Sequence, residues 1–333
     1  MNDSISALGY VIADVRADGK TDVSDDIQRL IDENPNRTIY FPDGVYLIGK
    51  PIMTPAEPTK SVDLQLSNYA VIRAADDWSS SEAMIRLGGE LPANNIMTCG
   101  SNYSLTGGVI DGSGIADGVS VDSGRETAIR NVSIKHTRIG IHIKRGANNG
   151  SSDADITGVN IVGTKKPDSI GVLVEGYDNT FTNMRIGGVF TGFELRSSGN
   201  ALKNIHPLYF SDYTDYQNSC GFYDRAGNNW YDYCYSDHFG IGYRNAPGVS
   251  SLYVNCFCFW WDGRVSPQTV FRSDGRFDSV VTNIKVGFHP NAERTVILSA
   301  AEPGGKGVFD RILTDRSRIT DSSYEPYLQN GII

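Results

Sequence analysis

The feature that most restricts the fold is a phrase that recurs between Gly118 and Val286. Each copy opens with glycine and an alternating strand: Gly118-Val-Ser-Val-Asp, Gly140-Ile-His-Ile-Lys, Gly171-Val-Leu-Val-Glu, Gly192-Phe-Glu-Leu-Arg, Gly221-Phe-Tyr-Asp-Arg, Gly240-Ile-Gly-Tyr-Arg. A loop follows, then an apolar-polar-Asn-apolar-polar-apolar run such as Ile129-Arg-Asn131-Val-Ser-Ile134. The slot recurs at Asn183, Asn204, Asp232, Asn255 and Asn283, with Gly158 filling it once. Six intervals separate Asn131 from Asn283 over 152 residues, about 25 each, a length typical of solenoid repeats.

Alternation with period two means half-buried strands, and no copy carries a helical apolar stripe. One such unit cannot bury its apolar face alone, but stacked units can. The expected fold is all-β: a single-stranded right-handed parallel β-helix (solenoid). Asn tolerates a left-handed backbone and hydrogen-bonds neighbouring main chain, so it can turn a tight corner and ladder onto the Asn of the next coil.

A rhythm kept over half of 333 residues argues for one β-helix domain spanning 1–333. Within it, 14–48 read as an N-terminal cap, 104–314 as regular coils and 315–333 as a tail. The irregular coils between contain strands at Val62–Leu66 and Val71-Ile72. Thirty-nine acids against thirty Lys and Arg, a net charge of −9, argue against nucleic acid as a partner. No run of apolar residues is long enough to span a membrane, and no leader peptide is visible. Location stays open among cytoplasmic, phage-associated and trimmed secreted forms. Cys99, Cys220, Cys234, Cys256 and Cys258 form no metal-ligand spacing, and Cys256-Phe-Cys258 reads as reduced thiols on one buried face. Neither a metal nor a cofactor is expected.

Near the N-terminus, Ser24 is placed to cap a helix whose apolar side is Ile27, Leu30 and Ile31, and Asn34-Pro35-Asn36 stops it. The run Asp18-Gly-Lys-Thr-Asp22, then Asp25-Asp-Ile-Gln28, then Ile39-Tyr-Phe-Pro-Asp-Gly-Val-Tyr46 resembles the N-terminal signature of the pectate-lyase-like β-helix superfamily. That group includes polysaccharide lyases, glycoside hydrolases, epimerases and phage tailspike depolymerases. The resemblance implies an N-terminal helix capping the open end of the solenoid, a saccharide groove on one sheet, and side-by-side association, trimers included. It specifies a fold more than a reaction.

On the glycine-opened strands, offsets +1 and +3 should point inward and +2 and +4 outward. The +2 row reads Ser120, His142, Leu173, Glu194, Tyr223, Gly242, and the +4 row Asp122, Lys144, Glu175, Arg196, Arg225, Arg244. Such rows form either a self-neutralising solvated face or a groove in which His, Tyr, Glu and Arg bind hydroxyls and carboxylates. Candidate catalytic carboxyls are Asp111 and Asp117, which flank a glycine-rich turn, and Asp122 one strand on. Glycosidic cleavage needs two carboxyl groups about 5–10 Å apart, although Asp-Gly is also an ordinary turn signal. Glu175 and Glu194 are the second choice. Candidate substrate-binding residues are His142, Lys144, Arg196, His206, Tyr209, Tyr223, Arg225 and Trp260. Asp212, Asp215, Tyr213, Tyr216 and Trp261 could add walls or stacking faces, though adjacency leaves one of Trp260 and Trp261 for the core.

Three functions remain open: a glycoside hydrolase using a carboxylate pair, a polysaccharide lyase eliminating across a uronate, and a non-catalytic glycan-binding spike. A lyase would draw its base, acid and carboxylate-neutralising cation from Lys144, Arg196, Arg225, His142 and Tyr223. The chain lacks the Arg-x-x-Arg pattern of pectate lyases and the Asn-Thr-Asp and Gly-His-Gly patterns of polygalacturonases. The expected partner is an oligo- or polysaccharide.

Overall fold

A computed structural model describes residues 9–55, 57, 59–88, 103–122, 124–145, 151–210, 216–261, 268–290 and 295–332. Cys99, Asp212, Tyr213 and Asp215 lie outside the described residues. The fold is a parallel β-helix: among the described residues the strands pair in parallel. Among the described residues there is one α-helix, α1 (Ser24–Glu33), which packs Ile27 and Ile31 inward. Ser24 does not cap it. Val23 holds the N-cap position, and the Ser24 hydroxyl instead donates to Asp22 and accepts from the backbone N–H of Gly49. Two acids in the first turn, Asp25 and Asp26, suit the positive end of the helix dipole.

The chain divides into two compact units, Met1–Thr164 with Val172–Thr180, and Lys165–Gly171 with Phe181–Ile333. In the first, each coil adds one residue to each of several aliphatic stacks. Ile39, Leu64, Leu105, Ile129 and Ile156 lie in register and are almost fully buried. Ile85, on an early strand, and Val119 and Ile141, on glycine-opened strands, form another stack. Complete burial of each such side chain is worth about 1.5–3 kcal/mol, and the stacking repeats it every coil.

In the second unit the same positions are aromatic. Phe193, Phe222, Tyr243 and Phe271 stack in register, successive ring centroids 6.5, 5.2 and 4.9 Å apart. Cys220, Cys234, Cys256 and Cys258 are free, buried thiols, which matches the expectation for Cys256 and Cys258. After the last strand, Val308–Leu313, the tail returns through bridges from Phe309 to Leu328 and from Ile312 to Ile332.

The glycine that opens each strand is required by crowding. A Cβ on Gly118 would lie 2.6 Å from the Gly140 carbonyl oxygen, and one on Gly192 would lie 2.5 Å from that of Gly221. The asparagine slot is a left-handed corner, with φ of 52–55° at Asn131, Asn183, Asn204, Asn255 and Asn283. Two register expectations are corrected. The slot assigned to Asp232 belongs to Tyr233, at φ 54°. The sixth strand aligns through Gly242 rather than Gly240, because Tyr223 pairs with Arg244. Arg244 therefore continues the row of Glu194 and Tyr223.

Candidate functional site

In the first unit the outward side of the glycine-opened strands carries a network of charges. Arg86, Ser120 and His142 occupy one ladder row. Arg86 donates through Nε and Nη2 to Asp122 Oδ2 at 2.7 and 2.5 Å, and Ser120 Oγ donates to Asp122 Oδ1. Lys144 Nζ lies 3.3 Å from Asp122 Oδ1 and donates to Glu82 Oε2 at 2.5 Å. His142 Nε2 meets Glu175 Oε2 at 2.9 Å. Asp122, at 6% exposure and held by three donors, is fixed inside this network rather than presented to a substrate.

Asp117 stands just before Gly118, ahead of the strand that carries Ser120. Arg138 Nη2 donates to its Oδ2 at 2.6 Å, and the Ile139 backbone N–H donates to Oδ1 at 3.0 Å. These bonds and the charge of Arg138 favour the carboxylate, yet burial outweighs them and raises the Asp117 pKa. Glu82 moves the other way: its hydrogen bond from Lys144 holds its pKa below the ordinary value. His142 acts electrostatically on both carboxyls. Asp111 is engaged separately, by the His136 ring at 2.9 Å and the Ser113 backbone N–H at 3.0 Å. Asp111 and Asp117 thus share no hydrogen-bonding partner.

The second unit's strip is richer in arginine. Glu194, Tyr223, Arg244 and Arg272 form one ladder row. Glu194, at 6% exposure, accepts from Arg196 Nε at 2.8 Å and lies 3.5 Å from Arg225 Nε. Arg225 and Arg244 flank the Tyr223 ring, 4.6 and 4.5 Å from its centroid. Asp274 pairs with both Arg244 and Arg272. Four arginines therefore share this strip with two carboxylates, a surplus of positive charge on a chain whose net charge is −9.

Two expected binding residues face the other way. Tyr209 is fully buried against Tyr216 and Phe239, and Trp260, at 1% exposure, donates its indole N–H to the Phe239 carbonyl. Neither presents its ring to a ligand, nor does Tyr216 at 4% exposure. Alternation places Trp260 inward on Phe257–Trp260, and Trp261 stacks on His238 instead. His206 is half-buried and stacks on Tyr235. Glu82, Arg86 and Arg138 were not singled out in the sequence. Glu82 and Arg86 sit in an early coil that lacks the opening glycine, although Ile85-Arg-Leu87 keeps the alternation. Among the described residues no cluster of three or more His, Cys, Asp or Glu could hold a metal, and no helix is long and apolar enough to cross a membrane.

A parallel β-helix with polar strips along its glycine-opened strands places the chain in the class of right-handed β-solenoids. The chain belongs to the rhamnogalacturonase A/epimerase, pectate lyase-like family, whose model matches residues 13–221. Among solved structures it is similar to an exopolygalacturonase from Thermotoga maritima, with 12% identity and TM-score 0.61 over 97% of this chain and 90% of that one. It is also similar to the tailspike of E. coli bacteriophage HK620 in complex with a pentasaccharide, with 11% identity and TM-score 0.68 over 96% and 64%. A third is ORF18 of Geobacillus virus E2, with 13% identity and TM-score 0.61 over 94% of this chain. The present chain spans 62% of that viral protein's length. No curated protein sequence matches.

Proposed function

We propose that this chain is a glycoside hydrolase that cleaves an oligo- or polysaccharide on the strip of its first unit. Asp117 is the proton donor, and the second carboxyl is Glu175, acting with His142. The observation that carries this reading is the opposed environment of the carboxyls around His142. Burial raises the pKa of Asp117, the direction a proton donor needs, while the hydrogen bond from Lys144 lowers that of Glu82. A carboxyl with a raised pKa suits the proton donor, and the His142–Glu175 pair at 2.9 Å supplies the base.

Each residue then has a task. Asp117 gives its proton to the leaving oxygen. Glu175 holds the imidazole of His142 and stabilises the cation formed when His142 takes a proton from the attacking water. Arg86, Asp122 and Lys144 hold these groups at fixed separations, as positioning requires. Asp111 orients His136 and stays out of proton transfer.

The test is reducing-sugar release across a glycan panel with Asp117→Asn, Glu175→Gln and Asp111→Asn. The first two should each lose at least roughly a hundredfold in turnover, with the melting temperature little changed, and Asp111→Asn should keep most activity. Full turnover in both Asp117→Asn and Glu175→Gln would overturn the assignment. The arginine surplus of the second unit's strip favours a second reading, a lyase acting on an acidic glycan. An unsaturated sugar product in place of new reducing ends from hydrolysis would select it. Absence of turnover on every glycan would leave a binding spike.

A further inference from the structure

We propose that the second unit carries a separate glycan-binding site at the corner where Tyr233 interrupts the asparagine ladder. The ladder is directional: Arg311 donates to Asn283, Asn283 to Asn255, and Asn204 to Asn183, at 3.1, 3.2 and 2.8 Å. Each side chain donates to the coil before it and accepts from the coil after. Tyr233 occupies the slot between Asn204 and Asn255 and carries no amide. The interruption therefore leaves Asn255 Nδ2 as a donor and Asn204 Oδ1 as an acceptor, on coils roughly 10 Å apart, two strand spacings.

Tyrosine is also a poor occupant of that backbone. A bulky side chain at φ 54° is an outlier, whereas Asn or Gly fits without strain. Its ring is 64% exposed, so burial does not compensate. Beside it lies a cleft of about 390 Å³, within the roughly 300–1,000 Å³ range of small-molecule sites. One wall is the row His206, Tyr235, Phe257. Their rings stack on one another at 4.0 and 4.6 Å, so edges rather than faces meet the cleft. Lys285 lies over the far face of Phe257, 5.3 Å from its centroid, and Arg185 lines the cleft as a second cation.

This combination suits a sugar. Pyranose hydroxyls both donate and accept, matching the broken amide pair, and the apolar face of a pyranose ring lies well on an exposed tyrosine. Lys285 and Arg185 select a carboxylate-bearing residue. The occupant is an acidic disaccharide segment. Only the choice of a glycan rests on the function proposed above, and the site is distinct from the hydrolytic strip.

The test is titration of isotope-labelled protein with digalacturonate, read at the Asn255 side-chain amide resonance, with cellobiose as the neutral comparison. Digalacturonate should shift that resonance alike in wild type and in His142→Gln. Tyr233→Asn, which restores the ladder and therefore the fold, should weaken binding at least roughly tenfold, and Lys285→Gln should also weaken it. Unchanged affinity in Tyr233→Asn, equal affinity for cellobiose, or no shift of the Asn255 resonance with digalacturonate would each overturn the proposal. Turnover is not the readout, so failure of the hydrolase assignment and failure of this site are seen separately.

Discussion

Asp117 and Glu82 contribute to stability with opposite signs, and pH separates them. Burial raises the folded pKa of Asp117 above its unfolded value. Its contribution is therefore fully present below the ordinary carboxyl pKa and is lost as pH rises through the folded one. Glu82 has a lowered folded pKa, so its contribution is present above the ordinary value and is lost as pH falls through the folded one. Glu82→Gln should lower the melting temperature at neutral pH, and the deficit should vanish in acid. A deficit that persists unchanged below about pH 4, near a free carboxyl's pKa, would contradict the ion-pair origin. Arg86 and Asp122 are a different case, because their side chains are only 8% and 5% exposed. Arg86→Met leaves Asp122 with Lys144 and Ser120 but without its two strongest donors. Denaturant titration should show a loss of about 3–5 kcal/mol, as when one partner of a buried pair is removed.

The strands and corners were legible in the sequence where the constraint acts on the backbone itself. Left-handed corners select Asn or Gly, and crowding between coils selects Gly, so both recur visibly at Asn131, Asn183, Gly118 and Gly192. Gly192→Ala should overpack the strand against Gly221 and Pro207 and cost about 1–3 kcal/mol on chemical denaturation. An unchanged midpoint would mean that the strand has slack against Gly221 and Pro207. Side-chain assignments were legible only where the backbone signal was unambiguous. Gly240 and Gly242 both offer an opening glycine, and only the pairing of Tyr223 with Arg244 decides between them. Tyr233 escaped notice because nothing in its chemistry announces a left-handed corner. Tyr209 and Trp260 looked like sugar platforms, but the alternation of their own strands carries them inward. Glu175, the partner of His142, and Glu82, the partner of Lys144, lie 33 and 62 residues away from them in sequence, and no local pattern could have joined them.

Across the second unit, one outward row is unexpectedly apolar. Ala201, Trp230, Leu252, Val280 and Val308 follow one another in register on successive coils. Trp230 is 49% exposed and Val280 39% exposed, although a solvent-facing strand position is ordinarily polar. The contiguous apolar row spans four strand spacings, roughly 19 Å, the kind of patch from which self-association is predicted. A second copy of this chain would present a matching row, since symmetric self-association repeats one patch on every subunit. The chain should therefore form a homo-oligomer, with light scattering giving a multiple of 36.4 kDa. Trp230→Lys combined with Val280→Lys should return the mass to that of one chain. Tyr233→Asn should not, because the corner lies three residues beyond Trp230, roughly 10 Å along the chain. A wild-type mass of a single chain at micromolar concentration would show that the row stays in water, and dissociation by Tyr233→Asn would show that the corner is part of the interface rather than a sugar site.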